Sequence, residues 1–119
     1  MLLNDFYITT DVSGTDNSLT CSLAFNSAHD IFKGHFPDNP VVPGVCMMEI
    51  VKELLQQQVQ KTLILRSTGN VKFLRLLTPD SQPTVNISWK ESDQGYSVKA
   101  FFNLGENSSF KLDGQYSML

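Results

Sequence analysis

One stretch of the chain, Val45 to Gln60, runs without glycine, proline or threonine, while almost everything else that repeats does so every second residue. That contrast restricts the chain to one long helix set against a sheet. Val45–Gln60 is rich in Met, Leu, Glu, Lys and Gln, side chains that lose little on entering a helix. Met47, Met48, Val51, Leu54, Leu55 and Val59 fall at three- and four-residue steps, the stripe of a helix laid on something flat. Glu49, Lys52, Glu53, Gln56 and Gln60 are expected to share the opposite, solvated face. Pro43 suits the first helical position, where a missing N–H has no intrahelical partner to lose.

The period-two segments supply the sheet. Phe6–Thr10 is β-prone, Ser13–Asn17 supplies turn residues, and Leu19, Cys21, Leu23 and Phe25 alternate with polar or small neighbours. After the helix, Asn70–Leu77 is expected to form a further strand. Val85, Ile87 and Trp89 then alternate, as do Tyr96, Val98, Ala100, Phe102 and Leu104, and finally Phe110, Leu112, Gly114 and Tyr116, with turns at 92–95 and 105–108. The predicted order is ββαββββ, an α+β layer pair in which an antiparallel sheet meets one long helix.

Composition narrows function by exclusion. With 119 residues, 41% hydrophobic and 18% charged, the chain is expected to form a single domain over 1–119 that buries a core without metal or disulfides. Nine Lys+Arg against twelve Asp+Glu give a net charge of −3, and no window gathers a basic run, which argues against a nucleic-acid partner. No stretch approaches a membrane span, and the start lacks the basic and apolar regions of a signal peptide, so a cytoplasmic protein is expected. Cys21 and Cys46 have no metal-like spacing and read as small buried hydrophobes.

Residues 27–42 hold Gly34, Pro37, Asp38, Asn39 and Pro40, a breaker density that predicts an ordered loop without regular structure. Within and just after it lie three groups suited to acid–base chemistry. His35 sits in a proline-framed loop and has the side chain that titrates nearest neutrality. The Gly44 N–H falls in the first helical turn, where unpaired donors and the helix dipole favour a developing negative charge. Glu49 follows on the helix. Each also has a plain reading: a structural histidine, ordinary capping, and a solvated partner for Lys52.

The stretch Gly34-His35-Phe36-Pro37-Asp38-Asn39-Pro40-Val41-Val42-Pro43-Gly44, with Glu49 fourteen residues after His35, resembles the 3-hydroxyacyl-acyl carrier protein dehydratases of the hot-dog fold. Their signature runs His-Phe-Pro-Gly-x-Pro-Val-x-Pro-Gly, with an acid on the central helix. Val71-Lys72-Phe73-Leu74-Arg75 looks like the family's strand after the helix. The resemblance implies that His35 removes the proton beside the thioester carbonyl and that the Gly44 N–H holds the carbonyl oxygen. It further implies that Glu49 of a second subunit protonates the departing hydroxyl and that the Val41 carbonyl orients the imidazole. Phe36, Val45, Met48 and Phe73 are expected in the acyl tunnel. A homodimer or higher even oligomer, and no cofactor or metal, are implied as well.

The chain departs from the signature at Asp38, in place of Gly, and at Ile50 and Glu53, where Ala and Gln are usual. Glu53 would put a second carboxylate one turn from Glu49. An acidic carrier protein would have to meet a local basic patch, for which Lys33, Lys72 and Arg75 are candidates. Two other readings share the fold: an acyl thioesterase, against which the HFP…PG loop argues, and a non-catalytic acyl-binding subunit, against which the His35–Glu49 pair argues.

Overall fold

The computed structural model describes residues 1–34 and 38–119. Six strands form one antiparallel sheet: β1 Tyr7–Gly14, β2 Ser18–Phe25, β3 Leu63–Phe73, β4 Thr84–Ser92, β5 Gly95–Leu104 and β6 Asn107–Met118. Their spatial order is β1-β2-β4-β5-β6-β3. Two helices precede β3, a short α1 at Asp30–Gly34 and the long α2 at Gly44–Val59.

The alternating residues of β2, β4, β5 and β6 all point inward, as their period predicts. Pairing lines them up in rows across the sheet. One row runs Cys21, Val85, Phe102, Phe110 and Phe73; its neighbour runs Leu19, Ile87, Ala100, Leu112 and Val71. Cys46, Met47, Ile50, Val51, Leu54 and Leu55 of α2 are buried in the same core. Ala100, fully buried between Ile87 and Leu112, keeps the middle of its row low. Both cysteines are free and buried.

The sequence reading needs correction at five places. The strand expected at Asn70–Leu77 runs instead from Leu63 to Phe73. Its register against β6 slips between Leu65 and Ser67 and again between Thr68 and Asn70, and these irregularities erase the alternation by which a strand is recognised. Leu74–Leu77 lies outside the sheet, and the Leu74 and Arg75 N–H groups both donate to the Ser109 carbonyl. The loop expected at 27–42 contains α1, whose Phe32 is buried against Phe6. The turn at 13–17 is shorter, because β1 continues to Gly14. Pro43 caps α2 from outside, with φ −62° and ψ 145°, rather than occupying its first turn.

The fifth correction is Glu53, which does not lie on a solvated face. It is 2% exposed. Its carboxylate accepts hydrogen bonds from the Leu2 and Leu3 N–H groups at 2.9 and 2.8 Å and from the Tyr7 hydroxyl at 3.1 Å. Three donors satisfy a buried carboxylate that makes no ion pair among the described residues. The charge expected to border Glu49 is instead the tie between the start of the chain and α2.

Candidate active site

The entry to α2 is fixed from both sides. The Val42 N–H donates to the Leu77 carbonyl at 2.7 Å, anchoring the loop before the helix. The Pro43 carbonyl accepts from the Cys46 and Met47 N–H groups, and no side chain caps the helix start. Gly44 is therefore left with a first-turn donor that the helix cannot satisfy.

Gly44 lets the Phe73 ring lie close against the helix start. A Cβ on it would fall 2.6 Å from Cε1 of Phe73. Phe73 is delivered to that spot by the aromatic row Phe102–Phe110–Phe73, whose successive ring centroids are 5.2 Å apart. Around this contact lies a cavity of about 360 Å³ lined chiefly by Val41, Pro43, Gly44, Met47, Phe73 and Leu76. Its lining is almost wholly apolar apart from Arg75 and the backbone, which suits an acyl chain.

Glu49 opens on a different cavity, of about 270 Å³, formed by Val45, Met48, Glu49 and Lys52 of α2 with Leu65 of β3 and Tyr116 of β6. Lys52 pairs with Glu49 at 3.0 Å, and both side chains are about one-third exposed. The structure thus brings Val41, Gly44 and Phe73 together in one cavity and Val45, Met48 and Glu49 together in a second. It does not bring Gly44 and Glu49 into the same one. Val45 is 75% exposed, as is Leu76.

His35 and Phe36 lie outside the described residues. The chain's other histidine is already engaged. His29 Nδ1 accepts from the Ile31 N–H and Nε2 meets Asp5 at 3.1 Å, while the ring packs edge-on against Phe6. Asp38 is exposed. Of the three basic candidates, Lys33 pairs with Asp30 at 3.6 Å on an exposed turn, Lys72 lies exposed on β3, and Arg75 borders the Gly44 cavity. Sequence reasoning missed Lys52, Leu65, Met47, Leu76 and Tyr116 as cavity residues. A tyrosine hydroxyl in an otherwise apolar alternation was the one signal available for Tyr116.

A long helix packed on a six-stranded antiparallel sheet of this order, with an uncapped glycine start and a carboxylate on its flank, defines a hot-dog domain. The chain belongs to the ApeI-like family, described as ApeI dehydratase, whose model matches residues 11–111. Similar curated proteins include the 3-hydroxyacyl-[acyl-carrier-protein] dehydratase FabZ of Levilactobacillus brevis, 28% identical over 81% of this chain and 70% of that protein. The FabZ of Clostridium acetobutylicum is 35% identical over 49% of this chain and 45% of its own length. That of Rickettsia canadensis is 33% identical over 71% of this chain and 59% of its own length. Among solved structures, the dehydratase heterocomplex ApeI:P from Xenorhabdus doucetiae matches with a TM-score of 0.77 and 21% identity, covering 92% of this chain and 96% of that one. An uncharacterized protein from Erwinia carotovora matches with a TM-score of 0.68 and 19% identity, each chain covered to 94%. No helix among the described residues is long and apolar enough to cross a membrane.

Proposed function

We propose that this chain dehydrates a 3-hydroxyacyl thioester held on acyl carrier protein to the trans-2-enoyl thioester. The observation that carries the reading is an uncapped Gly44 at the helix start, against Phe73 and lining an apolar cavity, with Glu49 further along the same helix on a second cavity. His35 takes the proton from the carbon next to the thioester carbonyl. Enolate charge then develops on the carbonyl oxygen, where the Gly44 N–H and the helix start stabilise it. As the electrons return, the bond from the third carbon to its hydroxyl breaks. Glu49 delivers the proton that lets the hydroxyl leave as water.

The separation of Gly44 and Glu49 into two cavities supports a site shared between two chains. In that arrangement the helix start and His35 of one chain face Glu49 of the other. The sheet ends on β3, and Val45, Phe73, Leu74 and Leu76 are exposed apolar side chains beside that edge, which favours a second hot-dog subunit as their cover. A homodimer is the simplest such pair. The Xenorhabdus assembly is a heterocomplex, and a related subunit would cover the same side chains. Arg75 at the mouth of the Gly44 cavity suits the phosphopantetheine or an acidic carrier surface.

The test is to incubate the protein with 3-hydroxyacyl carrier protein and follow the absorbance of the conjugated enoyl thioester. Wild type should form enoyl product, and His35→Ala and Glu49→Gln should each lose at least about a hundredfold in kcat, the scale of one lost acid–base group. Release of free acid in place of enoyl product would identify a thioesterase. Neither product across a range of chain lengths would identify a non-catalytic subunit.

A further inference from the structure

The mechanism leaves one buried polar group unused. Tyr116 occupies an inward position of β6, opposite Tyr96 on β5 and Leu65 on β3, and is 2% exposed. Its hydroxyl is the one buried side-chain polar atom among the described residues without a hydrogen-bond partner. An orphaned buried hydroxyl costs about 1–3 kcal/mol, and phenylalanine is accepted at the inward positions 102 and 110 of the same sheet. Packing therefore gives no reason for the oxygen.

Its position gives one. Tyr116 lines the cavity onto which Glu49 opens. The ring is settled there by Gly114, since a Cβ at 114 would lie 3.3 Å from Tyr116 Cε1 and 3.1 Å from Leu65 Cδ1. Lys52 already engages one Glu49 oxygen. Burial, reinforced by the nearby Glu49 charge, pushes the phenol up to about 12, so it keeps its proton at neutral pH and acts as a donor.

We propose that the Tyr116 ring, turning slightly as ligand enters, opens its enclosed hydroxyl to the Glu49 cavity and donates a hydrogen bond to the substrate's 3-hydroxyl oxygen, holding it for protonation. This rests on the dehydratase reading and adds a residue to it. Tyr116 gives up no proton: Glu49 supplies the one that leaves with the water, and the phenol only orients the departing oxygen and offsets its developing charge. An oxygen placed there also removes the orphan, so the stability lost in the empty protein returns as preference for a hydroxylated ligand.

The experiment compares Tyr116→Phe with its parent in a His35→Ala background, where ligand is not consumed. Calorimetry would measure binding of a 3-hydroxyacyl pantetheine and of the saturated acyl pantetheine of equal length. Expected is a loss of about five- to tenfold for the hydroxyacyl ligand, the worth of one hydrogen bond, with the saturated ligand unchanged. The Tm of Tyr116→Phe should equal or exceed that of the parent, because an unsatisfied hydroxyl has gone. Equal losses for both ligands, no loss for either, no binding of either by the parent, or a lowered Tm would each overturn the proposal. Failure of the dehydratase reading shows separately, as wild type that prefers the hydroxylated ligand yet forms no enoyl product.

Discussion

A glutamate on the outside of an amphipathic pattern is ordinarily a solvated charge, and Glu53 shows what that rule omits. Its helical position matched the polar face of α2, yet three donors from the first seven residues draw it inside. Those donors are two backbone N–H groups and one hydroxyl, and backbone groups carry no mark in a sequence. The role proposed for Glu49, four residues earlier, was readable because it rests on spacing from a motif rather than on tertiary partners. Removing the Glu53 carboxylate leaves the Tyr7 hydroxyl and two N–H groups without acceptors, so Glu53→Ala should lower stability by about 3 kcal/mol in urea unfolding. Glu53→Gln keeps an acceptor and should recover part of that. The folded Gln variant should retain full dehydration activity, which separates a structural carboxylate from a second acid.

Among the elements, legibility followed regularity. β2, β4, β5 and β6 could be read because each holds one face toward the core over its whole length. β3 could not, since two register slips break its alternation and its middle, from Arg66 to Asn70, is exposed. The short α1 was hidden among breakers for a related reason: it owes its place to Phe32 packing on Phe6, a contact invisible from local propensity. The inward face of β2 also sets a pH limit. Burial pushes the Cys21 thiol from its ordinary value near 9 up to about 11. The folded protein holds that proton more tightly than the unfolded chain, so the associated stability is intact below about pH 9 and is lost as pH rises through about 11. Urea midpoints measured across that interval should fall, and Cys21→Ala should make the fall shallower.

For the whole molecule, family and reaction class were legible from eleven consecutive residues and one spaced acid, and the resemblance already implied a site shared by two subunits; what it did not carry was the shape of the surface between them. Only coordinates place Gly44 and Glu49 on separate cavities, and only they expose Val45 between them. Putting a charge at that position should prevent the proposed pairing of subunits without disturbing either core. Val45→Glu is therefore expected to elute as a folded monomer by light scattering and to lose dehydration activity, whereas wild type should run as a dimer. A fully active Val45→Glu monomer would show that one chain suffices.

The two slips in β3 carry a consequence of parity. Each admits one unmatched residue, Arg66 and then Gly69, and each by itself would turn the rest of the strand over. Together they cancel. Leu65 therefore reaches the Glu49 cavity before the slips, and Phe73 still reaches Gly44 after them. The irregular edge also offers no uniform ladder along which further strands could add indefinitely, so it favours a closed pair over a growing ribbon. A one-residue deletion in this outlying strand would reach the start of the helix from a distance, by rotating Phe73 away from Gly44.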